Sequence, residues 1–292
     1  MRLVSFQKNN EVGLAVEVAG ELRGRLASKA NHPVDIGALL AAGGDALETV
    51  GRSLRDAPVI DPAQISYLPP LANPPKIICV GLNYADHTKE SPYDQPDYPT
   101  LFPRFASSLI GHGQAIVRPT VSDTLDYEGE LVAIIGKSGR HIPRSRALEH
   151  VCGYSIFNDG SVREYQFKSP QWTVGKNFDA TGAFGPYFVT ADDVPAGGKS
   201  LRLETRLNGA VVQSASTDDM LFDLVELISV VSEAITLLPG DVIVTGTPAG
   251  IGWARNPRLL MKDGDVCEVE IDGLGLLRNP IVDEARIATI AA

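Results

Sequence analysis

Apolar residues recur along the chain in short runs closed by turn residues, the pattern of a mostly β protein. The N-terminus, MRLVSFQKNNEVGLAVEVAG, reads as strand, turn and strand, and a helical stretch follows from Ile36 to Leu54. Ala57-Pro-Val-Ile-Asp-Pro62 and Leu68-Pro-Pro-Leu-Ala-Asn-Pro-Pro75 then form an extended proline-rich connector, because proline fixes φ and removes a donor. It divides the chain into a small N-terminal domain, residues 1–70, and a larger one, residues 71–292. Beyond it, Ile77-Ile-Cys-Val80 and Leu131-Val-Ala-Ile-Ile135 are apolar runs, each ended by Gly. Leu201–Leu207 alternates apolar and polar residues before Asn208-Gly209, a hairpin signal that Val266–Ile271 with Asp272-Gly273 repeats. Leu221, Leu224, Val225, Ile228, Val231, Ile235 and Leu238 fall at spacings of 3 and 4, predicting one amphipathic helix with Asp218 and Asp219 at its start and Pro239-Gly240 at its end. No internal repeat or low-complexity segment is present.

Composition narrows the class. With 28 Gly and 20 Pro in 292 residues, turns are abundant. A hydrophobic share of 44% and a charged share of 21% suit a folded, water-soluble chain. Asp and Glu exceed Lys and Arg, 36 to 26, for a net charge of −10; this argues against nucleic acid as partner and leaves small anions open. The N-terminus has no long apolar h-region, so no signal peptide is expected, and no stretch approaches the ~18 apolar residues of a membrane helix. Cys79, Cys152 and Cys267 are scattered without C-x-x-C spacing, which points to reduced thiols and a cytoplasmic setting.

Several segments carry chemistry. In Asp126-Tyr-Glu128-Gly-Glu130-Leu131, two glutamates two apart on an extended strand project to one face. A divalent cation between them would relieve their repulsion, and oxygen ligands suit Mg²⁺, Mn²⁺ or Ca²⁺; a solvated strand face is the plainer alternative. Asn158-Asp159-Gly160 ends another apolar strand and offers a third carboxylate, or a simple turn. Arg163 and Gln166 stand at i and i+3, on one helical face that could hold a planar carboxylate. Lys176, among Trp172, Gly175 and Phe178, would steady an enolate as a cation or serve as a base. His87 and Glu90 also share a helical face, an arrangement for activating water or a surface contact. Ser91–Pro99 suits a lid, and Thr245-Gly-Thr247-Pro-Ala-Gly250 a loop offering N–H groups and a hydroxyl. Walker, dinucleotide and nucleophile-elbow glycine motifs are absent.

The order Gly81-Leu-Asn-Tyr-Ala-Asp-His87-x-x-Glu90, Asp126-Tyr-Glu-Gly-Glu-Leu131, Asn158-Asp159 with Arg163 and Gln166, Gly175-Lys176, and Thr245-Gly-Thr-Pro-Ala-Gly250 resembles the fumarylacetoacetate hydrolase family from about Pro75 to Asn279. The resemblance implies an α+β, mostly β fold: a mixed β-roll catalytic domain beside a small N-terminal domain, in a homodimer. It implies Mg²⁺ or Mn²⁺ on Glu128, Glu130 and Asp159, an active-site Lys176, and a lid dyad of His87 and Glu90. It places Arg163, Gln166, Thr247 and Arg104 at substrate. The expected reaction is hydrolysis of a 2,4-dioxo acid of the acylpyruvate type. Isomerisation of a 2-hydroxymuconate-type diene acid follows, then decarboxylation or tautomerisation of oxaloacetate. A non-catalytic metal-binding scaffold is the alternative of a different class.

Overall fold

The structure is a computed structural model and describes residues 1–90 and 94–286. The fold is α+β and mostly β. A long mixed sheet forms its centre, with outer strands Arg2–Lys8, Glu11–Val18 and Glu21–Leu26 in antiparallel succession. Arg2–Lys8 pairs antiparallel with Gly182–Thr190, which leads through Val151–Asp159 and Gly129–Ile135 to Val242–Val244. The parallel strand Ile77–Gly81 and the edge strand Thr100–Arg104 complete it. A second sheet of five strands contains the hairpin Arg202–Leu207/Ala210–Ser216 and the pair Val266–Ile271/Gly275–Asp283.

The N-terminal 70 residues therefore extend the central sheet. Leu3, Leu14, Ile36 and Leu54 share one apolar cluster with Ile77, Val132, Phe184 and Val242, so the proline-rich connector marks a change in composition without a break in the core. The helical stretch from Ile36 is two helices, Ile36–Ala42 and Ala46–Ser53, parted at Gly43-Gly44. The amphipathic helix is shorter than its apolar spacing suggested. It spans Leu224–Ala234, capped by Asp223, whose carboxylate accepts the Glu226 N–H. Asp218 and Asp219 instead start a short 3-10 turn, where Ser216 and Asp219 form a reciprocal cap, and Leu221, Ile235 and Leu238 are exposed. Asn208-Gly209 does turn the hairpin.

Gly129–Ile135 is buried on both faces, which explains its unbroken apolar sequence after Glu130. It lies against the five-stranded sheet so closely that a Cβ on Gly129 would fall 2.2 Å from the Thr205 hydroxyl. Glycine between the two glutamates is thus required by the approach of a second sheet. Ile134 on this strand is fully buried. Ile134→Ala is expected to cost about 2–5 kcal/mol through lost burial and a residual cavity. Urea denaturation checks this; a loss near zero would contradict the packing described.

Candidate active site

Strand ends converge on one buried cluster. Glu128 precedes the strand Gly129–Ile135, Glu130 lies inside it, and Asp159 ends the antiparallel neighbour Val151–Asp159. The register pairs Gly129 with Asn158, which brings the three acids together. One oxygen from each of Glu128, Glu130 and Asp159 lies within 4.8 Å of the others, and all three side chains are buried. Asn158 fixes the turn by accepting the Glu128 N–H at 3.0 Å.

Cations surround the acids unevenly. Lys176 Nζ donates to Glu128 Oε2 and Asp159 Oδ2, both at 2.6 Å. Burial opposes the Lys176 charge, but Asp159 and Glu128 outweigh it and raise its pKa. Arg163 Nη1 donates to Glu128 and, at 3.0 Å, to Gln166 Oε1. Glu128 is held below the usual carboxylate range: burial pushes it up, and Lys176 and Arg163 more than compensate. Among the described residues no cation hydrogen-bonds to Glu130; its Oε2 accepts the Gly246 N–H. Burial, then Asp159 and Glu128, push its pKa well up.

The donor set fits a hard divalent ion. Asp126, Glu128, Glu130 and Asp159 are four buried carboxylates against three buried cations, Arg104, Arg163 and Lys176. The uncompensated negative charge falls on a group of oxygens only, as Mg²⁺ or Mn²⁺ prefers. A dication would turn the local balance positive and favour an anionic ligand.

Above this floor lies a cavity of about 40 Å³. Leu82, Phe102, Phe167, Trp172, Ile251 and Trp253 give it an apolar wall. His87 and Glu90 close it from the short helix Ala85–Glu90. Nδ1 of His87 lies 3.0 Å from Glu90 Oε1; since the carboxylate only accepts, Nδ1 carries the proton and Nε2 is left for a ligand. Glu90 also accepts the Gly250 N–H at 3.0 Å, which docks the helix on the Thr245–Gly250 loop. Of the expected lid Ser91–Pro99, residues 91–93 lie outside the described residues.

The remaining expected site residues divide. Arg163, Gln166 and Thr247 line the cavity. The Thr247 hydroxyl, however, donates to Gly129 O at 3.0 Å and accepts from Gln213 at 2.8 Å, leaving only acceptor capacity. Arg104 is not among the lining residues. Its N–H groups serve Asp159, Gly160 O, Ser108 and Thr181, beneath the acids. The geometry assigns it to holding Asp159, in place of the substrate contact expected from sequence. Trp172 and Trp253 also line the cavity, and nothing in local spacing signals that they meet there. A larger cleft of about 980 Å³, between residues 39–55 and 190–193, shares no lining residue with the cavity.

Comparison with known proteins identifies the family. Residues 76–282 match the family described as fumarylacetoacetate (FAA) hydrolase, C-terminal. Human oxaloacetate tautomerase FAHD2A, mitochondrial, is 39% identical over 97% of this chain and 92% of its own length. A fumarylacetoacetate hydrolase from Exiguobacterium antarcticum superposes with a TM-score of 0.85 at 36% identity, covering 97% of this chain and 100% of that one. Maleylpyruvate hydrolase from Sphingobium sp. SYK-6, solved with manganese(II) and pyruvate, gives 0.80 at 27% identity over 97% and 99%. The chain belongs to the fumarylacetoacetate hydrolase family and is an enzyme.

Proposed function

We propose that this enzyme interconverts the enol and keto forms of oxaloacetate, with a divalent ion on Glu128, Glu130 and Asp159. The observation that carries the reading is one cavity lined by Glu128 and Glu130 together with the His87–Glu90 pair, acid–base group and carboxylates facing the same space. The relatives named oxaloacetate tautomerase, similar over nearly the whole chain, support the same substrate. This reverses the order expected from sequence, in which hydrolysis led.

When bound, Mg²⁺ or Mn²⁺ supplies Lewis acidity that polarises the 2-oxo group and makes C3 more acidic. The chain's own residues do the rest. Arg163 lines the cavity, and its buried Nη2 lies near Asp126 Oδ2 without the alignment of a hydrogen bond, so that N–H lacks an acceptor among the described residues. Its guanidinium sets positive charge beside a carboxylate bound in the cavity. Gln166, holding Nη1, keeps the guanidinium oriented. Lys176 adds fixed positive charge to the side where the enolate oxygen develops. His87 Nε2 moves the proton to or from C3, and Glu90 steadies the imidazolium.

A second reading, hydrolysis of an acylpyruvate, rests on the same dyad, since His87 could instead deprotonate a water. Parallel assays with enol-oxaloacetate and acetylpyruvate decide between them. Loss of enol absorbance without pyruvate release is expected; equimolar pyruvate and acetate from acetylpyruvate would establish the hydrolase. Chelation by EDTA is expected to abolish activity, and Mg²⁺ or Mn²⁺ to restore it. We further take the enzyme to be a homodimer, on the family resemblance, and cytoplasmic, on its free cysteines. No helix among the described residues is long and apolar enough to cross a membrane.

A further inference from the structure

We propose that Asp126 is a positioning residue that aligns two walls of the cavity at once: the guanidinium of Arg163 and the turn carrying Trp253. This rests on reading the cavity as an oxo-acid site. Asp126 is fully buried, and its carboxylate gathers donors from three directions. Arg163 Nε donates to Oδ2 at 2.9 Å, and Nη2 lies 2.8 Å from the same oxygen. The Gly252 N–H donates to Oδ1 at 2.8 Å and the Trp253 N–H to Oδ2 at 2.9 Å. The Tyr127 N–H adds a further bond to Oδ1, at 2.9 Å.

Each donor group has its own consequence. The contacts to Nε and Nη2 fix the plane of the guanidinium, whose Nη1 reaches Glu128 and Gln166. The contacts to Gly252 and Trp253 fix the start of a 3-10 turn, Gly252–Ala254, and hence the indole on the cavity wall. The turn sits directly on the carboxylate: a Cβ at Gly252 would come within 2.6 Å of Asp126 Oδ1 and 1.9 Å of Leu259 O. Glycine there is required by close approach. Asp126 itself does not line the cavity. It acts through Arg163 and Trp253, so the spacing between cationic clamp and aromatic wall depends on one carboxylate.

Oxalate, which carries the carboxylate and adjoining oxygen of any 2-oxo acid and does not react, is the probe. Its affinity for the Mn²⁺-loaded protein can be read by calorimetry and by tryptophan emission, since both tryptophans line the cavity. Asp126→Asn places an amide donor against Arg163, and Asp126→Glu keeps the charge but displaces it. In each, oxalate affinity is expected to fall about 10–100-fold, as for other residues that orient a ligand-binding group. Mn²⁺ affinity, read by paramagnetic resonance, should change less. In an Arg163→Gln background, Asp126→Asn should add a smaller loss than it causes alone, because part of its effect on oxalate runs through that arginine. Wild-type oxalate affinity in an Asp126 variant that melts like the parent would overturn the proposal, as would full additivity with Arg163→Gln. If wild type binds oxalate but does not turn over oxaloacetate, the proposed function falls while the positioning role stands. If wild type binds no oxalate, both fall.

Discussion

Glu130→Gln is expected to lose divalent-ion binding and, with it, at least about 10³-fold in activity, since Lewis-acid and electrostatic stabilisation supply several kcal/mol of the barrier reduction. Glutamine keeps the shape and can still accept the Gly246 N–H, so lost packing would not explain the effect. Stability should move the other way. In the ion-free protein, burial and the neighbouring Asp159 and Glu128 raise the Glu130 pKa. A carboxyl whose folded pKa is raised contributes stability that is complete below its unfolded pKa and is lost as pH rises through the folded value. The ion-free wild type should therefore weaken relative to Glu130→Gln as pH increases. Metal binding to the wild type must expel the proton, so affinity should rise with pH, with up to about one proton released per ion. Calorimetry in buffers of different ionisation enthalpy measures that release. Unchanged Mn²⁺ binding in the variant would remove Glu130 from the ligand set.

His87→Ala is expected to lower kcat by about 10²–10⁴, the range for removing a general acid–base, while leaving Mn²⁺ affinity intact. The separation follows from geometry. His87 closes the cavity from the helix Ala85–Glu90, opposite the acids, and it ligates through none of them. Glu90→Gln should cost less, because Glu90 orients the imidazole through Nδ1 but exchanges no proton with substrate. Steady-state kinetics with Mn²⁺ titration checks both. Full activity in His87→Ala would mean that another group moves the C3 proton.

The parts of this site that the sequence reveals are those set by local rules. Glu128 and Glu130 share a face because a strand has a period of two, and the apolar run after them announces a buried strand. Asn208-Gly209 names its own hairpin. The apolar spacing overreaches the helix at 224–234 because exposed Leu221, Ile235 and Leu238 continue it by coincidence, whereas the local cap at Asp223, which accepts the Glu226 N–H, marks where the helix starts. What escaped notice depends on contacts far apart in the chain. Asp126 meets Gly252 and Trp253, over 120 positions away, and Arg104 turns beneath Asp159 away from the cavity. Gly129 is explained only by Thr205 on a second sheet.

The measurement closest to the central claim follows enol-oxaloacetate absorbance with the metal-stripped protein, then after adding Mg²⁺ or Mn²⁺, with pyruvate monitored in the same samples. Metal-dependent loss of the enol without pyruvate, absent in Glu130→Gln, is the predicted result. An unaccelerated enol decay with either ion present would contradict the account.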